Sequence, residues 1–290
     1  MYPPLPKGEL TLPDGRLLSY AEYGRPRGFP VFFFHGTPGS RLMGKFAHNA
    51  AADRDMRIIA ADRPGFGRSQ FQSRREITDW PADVIAMANA LDLDRFAVVG
   101  VSGGGPYVAA CASLIHPRLT AAAIVSGVSP HRRGVLRGMS MPGRATAFTA
   151  RRLPWLLSAQ LRFASWAVQR WPERALRSGA RRLPAADREV LERDAVENEL
   201  VEDMQEAFRG GHRGVAYESR LFARPWGFKL EEVTFPIRLW QGDADTIVPP
   251  VMARYQAKVM PHATATFIPG AGHFWFVDHL GDVLDGILGR

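Results

Sequence analysis

The feature that most restricts the fold is an alternation that stops and then resumes. Apolar runs of strand length, each leading into a loop of small residues and then a stretch of helical spacing, recur to about residue 130 and return near residue 235. The first set comprises "PVFFFHGTPGS" (30–40), "RIIAADRPGFGRS" (57–69), "RFAVVGVSGGG" (95–105) and "LTAAAIVSGVSP" (119–130). The second comprises "FPIRLWQGDAD" (235–245) and "ATFIPGAGHF" (265–274). Unbroken apolar runs suit strands covered on both faces, as in a parallel sheet flanked by helices. "GELTLPDGRLLSYAEYG" adds a hairpin in front, because Asp14-Gly15 tolerates positive φ. Apolar spacing predicts helices at about 42–52, 77–91 and 275–288. Between about 131 and 230 the pattern is helical throughout, with Leu157, Leu161, Ala164 and Val168 sharing one face. The expected organisation is an α/β core at 1–130 and 231–290, built on one mostly parallel sheet, with an inserted helical cap (lid) at 131–230.

The 290 residues suit one α/β domain carrying an insertion. No apolar run reaches the roughly 18 residues of a membrane span. The start, "MYPPLPKGEL", reads without a secretory signal. The single cysteine, Cys111, has no internal disulfide partner, so a reducing cytoplasmic location is expected. Its apolar setting, "YVAACASLI", reads as a buried helical thiol. The net charge of +8 is concentrated: residues 131–182 carry twelve arginines against one acid, Glu173, and residues 187–206 are strongly acidic. The simplest expectation is that these neighbours pair with each other; the alternative is a basic cap that attracts anionic substrates or an anionic surface. Arginine stripes without interleaved aromatic platforms or a known module argue against a nucleic-acid partner.

The chemistry-bearing pattern is Gly100-Val101-Ser102-Gly103-Gly104, set between an apolar strand and a helix. A serine at the tip of such a turn is exposed at the positive end of a helix, and its neighbours must be small to clear the adjoining elements. A phosphate loop fits worse, since neither G-x-x-x-x-G-K-[ST] nor G-x-G-x-x-G with a later acid is present. A serine nucleophile needs a base, and the base needs an orienting acid. His273 follows the last strand and Asp245 the one before it, both at the sheet edge where Ser102 emerges. Asp243 is the competing acid; Gly242-x-x-Asp245-x-x-Val248-Pro249 favours Asp245, which lies beyond the turn. Backbone N–H donors for a developing oxyanion are expected from Gly103 and from Thr37, since Pro38 has none. Of the other histidines, His35 reads as shaping its loop, and His116, His262 and His279 as surface groups. His131 and His212 lie in the cap, where contact with substrate is the less expected role.

Together "HGTPGS" (35–40), "DRPGFGRS" (62–69), "GVSGGGP" (100–106), "GDADTIVP" (242–249) and "GAGH" (270–273) resemble the α/β-hydrolase fold family, over roughly residues 8–288. "YESRLFARPWGF" (217–228) is similar to the segment that returns the chain to the sheet in cap-bearing members. The resemblance implies an eight-stranded, mostly parallel sheet flanked by helices, a pocket between sheet and cap, and no metal or organic cofactor. Haloalkane dehalogenases and epoxide hydrolases carry aspartate where this chain has Ser102. Proline iminopeptidases usually carry "HGGPG" and a tryptophan after the nucleophile, where this chain has Thr37 and Gly103.

The expected activity is therefore that of a serine esterase cleaving a small-molecule ester, thioester or lactone through Ser102, with His273 as base and Asp245 as its orienting acid. Trp155, Phe163, Trp166, Phe222 and Trp275 are the expected pocket lining, and Phe276 is placed beside Trp275 on its floor. Carbon–carbon bond hydrolysis and perhydrolysis use the same three residues, and a ligand-binding protein on this fold can keep them with little turnover. The sequence leaves monomer and homodimer open.

Overall fold

The structure, a computed structural model, describes residues 7–132 and 134–289. Its eight strands are β1 (Lys7–Thr11), β2 (Leu17–Gly24), β3 (Phe29–Phe34), β4 (Met56–Ala61), β5 (Phe96–Val101), β6 (Leu119–Val125), β7 (Ile237–Gly242) and β8 (Ala263–Ile268). They form one sheet in the order β1-β2-β4-β3-β5-β6-β7-β8. The β1–β2 and β2–β4 pairings are antiparallel and the other five are parallel. The expected hairpin is β1–β2, with Gly15 at φ 85° in its turn.

Side-chain alternation explains why the central strands read as solid apolar runs. In β3, Phe32 and Phe34 enter the core on one face while Val31 and Phe33 enter the other. The first face is covered by α2 (Trp80–Ala90) and α3 (Gly105–Leu114), the second by α1 (His48–Asp53) and α11 (Phe276–Leu288). Each such fully buried phenylalanine contributes about 1.5–3 kcal/mol, so the paired cores hold the sheet rigid. Cys111 is wholly buried in α3, where burial pushes its thiol pKa up and keeps it unreactive.

Among the described residues, six α-helices lie between β6 and β7: α4 (Met141–Arg152), α5 (Pro154–Arg170), α6 (Pro172–Ala180), α7 (Ala185–Leu191), α8 (Asp194–Ala207) and α9 (Arg213–Phe222). The helix α10 (Pro250–Val259) then joins β7 to β8. Among the described residues, no helix is long and apolar enough to cross a membrane.

The expected pairing of the arginine and acid stretches is almost absent. Among the described residues, Arg177–Glu197 is the one ion pair joining them. The acids instead face the sheet domain. Glu206 takes Arg41 at 2.7 Å, Glu199 lies 3.5 Å from Lys45, and Asp203 accepts from Ser40. The acid stretch thus fastens the inserted helices to the sheet domain and leaves most of the arginines facing water.

Candidate active site

The carboxyl ends of β3, β5, β7 and β8 bring Thr37, Ser102, Asp245 and His273 to one sheet edge. Ser102 follows β5 directly and has φ +53°, the left-handed region that side chains avoid. Such a residue costs on the order of 1–3 kcal/mol, held here by the strand before it and the helix after it. The glycines keep that turn compact. A Cβ on Gly100 would sit 2.5 Å from the Gly104 carbonyl oxygen, and one on Gly104 would strike the Phe34 carbonyl.

The acid is Asp245. Its Oδ2 meets His273 Nδ1 at 2.7 Å and also accepts from Gln241 Nε2 at 3.0 Å. Its Oδ1 accepts from the backbone N–H groups of Ile247 and Val248 at 2.8 and 2.9 Å. Four donors thus fix a carboxylate that is only 2% exposed. Asp243 is exposed and accepts from the Gly270 N–H, pinning the turn before His273 without touching the imidazole. Burial alone would lower the His273 pKa; the charge and hydrogen bond of Asp245 more than reverse this and hold it above the ordinary value.

Thr37 packs directly on Gly103, the residue after the serine, since a Cβ on Gly103 would strike Thr37 Oγ1. Behind them lies a buried ionic cluster. Glu218 of α9, fully buried, accepts from Thr37 Oγ1 at 2.5 Å, from Arg63 Nε and Nη2 at 2.8 and 2.9 Å, and from Tyr107 Oη at 2.8 Å. Arg75 adds a longer contact at 3.3 Å. Burial would raise the Glu218 pKa, but the Arg63 charge and hydrogen bonds bring it down to about 2. Arg63 also donates to the carbonyls of His35 and Gly36. His35 has the shaping role its sequence context implied, with Nδ1 on the Gly36 carbonyl and Nε2 accepting from the Arg63 N–H. Burial and the neighbouring Arg63 push its pKa well below the ordinary value, so it stays neutral.

Two chambers meet at Ser102. One, of about 200 Å³, is lined by Gly103, His131, Thr146, Ala150, Phe222 and Met252. The other, of about 260 Å³, is lined by Met43, Leu200, Asp203, Met204, His273 and Phe274. Ser102, Thr37 and Ile247 border both. Phe222 borders the first chamber and Phe276 the second. His131 reaches the first chamber, whereas His212 binds Ser158 away from both.

Four of the aromatic residues expected to line the pocket do not. Trp155, Phe163 and Trp166 are 69%, 67% and 52% exposed on the outer side of α5. The reason is helical phase: Leu157, Ser165 and Val168 take the inward face, leaving those three rings outside. Phe163 and Trp171 both pack against Trp166 there, the second edge-on. Trp275 is buried under the sheet, donating to Ser126 Oγ at 3.1 Å. The turn after His273 directs Phe274 and Phe276 to the chamber instead.

Sequence reasoning missed three buried acids at this site: Asp187, Asp203 and Glu218. Asp187 accepts from the Phe274 N–H at 2.8 Å and so holds the loop that carries His273. The available signal was phase. Asp203 falls in step with Val196, Leu200 and Ala207, the buried stripe of α8. Among the described residues, no group of three His, Cys, Asp or Glu side chains is placed to hold a metal ion.

A strand-to-helix serine and an Asp–His pair on one edge of a mostly parallel eight-stranded sheet define the α/β hydrolases as a class. The family model for the alpha/beta hydrolase fold matches residues 30–280, and the chain belongs to that family. It is 35% identical over 131 residues to a non-heme chloroperoxidase of Streptomyces lividans, covering 42% of this chain and 45% of that protein. It is 31% identical over 139 residues to a probable proline iminopeptidase of Leptolyngbya boryana, covering 46% and 43%. The chain thus matches less than half the length of these curated relatives. An esterase of Thermogutta terrifontis shares the fold with a TM-score of 0.70 and 22% identity, over 98% of both chains.

Proposed function

We propose that this α/β hydrolase cleaves a carboxylic ester, thioester or lactone through an acyl-enzyme on Ser102. The observation that carries the reading is the 2.7 Å His273–Asp245 bond in the chamber that Ser102 also lines. Ser102 Oγ attacks the carbonyl carbon while His273 Nε2 takes its proton, leaving Nδ1–H on Asp245. The oxyanion is met by the N–H groups of Thr37 and Gly103. His273 then gives the proton to the leaving oxygen or sulfur, the carbonyl re-forms, and water activated by the same imidazole releases the acid. The inserted helices α4–α9 act as the cap, since residues of α4, α6, α8 and α9 line the two chambers. A second reading, perhydrolysis, shares the acyl-enzyme and differs only in that hydrogen peroxide replaces water. The partial match to a chloroperoxidase supports it.

The test is to react the protein with a fluorophosphonate probe, locate the labelled peptide, and assay p-nitrophenyl esters of increasing acyl length with and without peroxide. Label on Ser102 with ester turnover is expected, and peracid formation would favour the second reading. A folded protein that neither labels nor turns over esters would overturn both in favour of a ligand-binding role. The base must be neutral to act, so kcat/KM should climb with pH. Its acidic limb should have an apparent pKa above the ordinary histidine value of 6.5, because Asp245 stabilises the imidazolium. A limb at or below 6.5 would show that another group governs the rate.

A further inference from the structure

Resting on the acyl-enzyme reading, the two chambers have different chemical duties. In the tetrahedral intermediate the oxyanion points to Thr37 and Gly103, while the leaving oxygen must lie within reach of His273, which protonates it. His273 borders only the 260 Å³ chamber, and Gly103 only the 200 Å³ one. The alcohol half of the substrate therefore occupies the chamber of Met43, Leu200, Asp203 and Phe274, and the acyl half occupies the chamber of Phe222 and Met252.

Away from Thr37, Ser102 and His273, the alcohol chamber is apolar apart from one carboxyl. Besides His273, Asp203 is the only titratable side chain among the residues lining it. It is 1% exposed, and its Oδ1 accepts both the N–H and the hydroxyl of Ser40, at 2.8 and 2.6 Å. Its Oδ2 is buried and has no hydrogen-bond partner among the described residues; the Met43 N–H, which also lies near the carboxyl, is bonded to the Ser40 carbonyl. Leaving such an oxygen unpaired costs free energy that a ligand donor would recover. We infer that Asp203 is the specificity-determining residue for the alcohol half, and that the substrate is an ester whose alcohol carries a hydrogen-bond donor, a hydroxyl in the simplest case. The hydroxyl donates to Oδ2 while the ester oxygen faces His273. Burial, reinforced by the nearby charge of Asp62 and opposed by the Ser40 bonds, raises the Asp203 pKa to about 7, so the carboxylate acceptor predominates in mildly alkaline solution.

Three butyrate esters of equal heavy-atom length separate the possibilities: n-butyl, hydroxypropyl and methoxyethyl, followed by acid release at mildly alkaline pH. The hydroxypropyl ester should exceed the other two in kcat/KM by about tenfold, the scale of one hydrogen bond to a charged group. Asp203→Leu should reverse that order in favour of n-butyl. Asp203→Asn keeps an oxygen for Ser40 and offers an N–H in place of Oδ2, so it preserves the fold and should raise methoxyethyl relative to hydroxypropyl. A hydroxyl moved to the acyl half, tested as methyl hydroxybutyrate against methyl methylbutyrate, should bring no gain. An order unchanged in both Asp203 variants, or a preference that follows the acyl half, would overturn the inference while the esterase reading stands. Esters that are not cleaved at all, together with an unreactive Ser102, would overturn both.

Discussion

Ser102→Ala is expected to lower kcat for ester cleavage by about 10⁶-fold, with the fold and Tm unchanged. The loss is large because the covalent step disappears, and the residual rate reports the oxyanion donors and binding alone. Stability should hold because alanine removes one oxygen from the rim of a chamber and keeps the Cβ, leaving the positive-φ position as it was. Asp245→Asn supplies the contrast, with an expected loss of about 10⁴-fold. If the amide oxygen keeps the Ile247 and Val248 N–H groups, the amide nitrogen must replace Oδ2 and donate to His273 Nδ1. The imidazole proton then sits on Nε2, the atom that should accept from Ser102. Steady-state rates and melting curves on both variants check this pair of expectations. A Ser102→Ala protein within tenfold of wild type would remove the serine from the chemistry.

What was legible in the sequence is what local chemistry demands of particular positions. Ser102, Asp245 and His273 each sit where a strand ends in small residues, so the pattern of strands placed them on one edge before any contact was known. The failures share a different cause. Helical periodicity shows that α5 has an apolar face, but not which of two apolar-looking stripes turns inward. Trp155, Phe163 and Trp166 belong to the outward one. Trp275 fell to a turn whose phase the sequence does not encode. The buried acids were hidden by distance: Asp187, Asp203 and Glu218 meet partners 87, 163 and 181 residues away. In composition alone, the first two look like part of a solvated acidic face.

Those distant contacts tie the inserted helices to the chemistry, and their strongest member should be the costliest to remove. Glu218→Ala is expected to destabilise the protein by about 3–5 kcal/mol, because Arg63 and Arg75 would remain buried without their shared carboxylate. That cost approaches the whole stability of many domains, so the alanine variant tests the fold rather than the reaction. Acid titration of the wild type should report the same group. Its folded pKa of about 2 lies below the unfolded value, so its contribution is complete above the unfolded pKa and is lost as pH falls toward 2. The reaction is probed through Thr37, which Glu218 holds at 2.5 Å and whose N–H is the proposed oxyanion donor. Thr37→Val keeps the shape and removes that bond, so the loop loses its tether to α9. The expected result is a fall in kcat of about tenfold or more with KM nearly unchanged, since a misplaced donor weakens only the transition state. Thr37→Ser restores the hydroxyl and should restore kcat. A Thr37→Val enzyme with wild-type kcat and a lowered Tm would mean that the Glu218 cluster holds the inserted helices in place and nothing more.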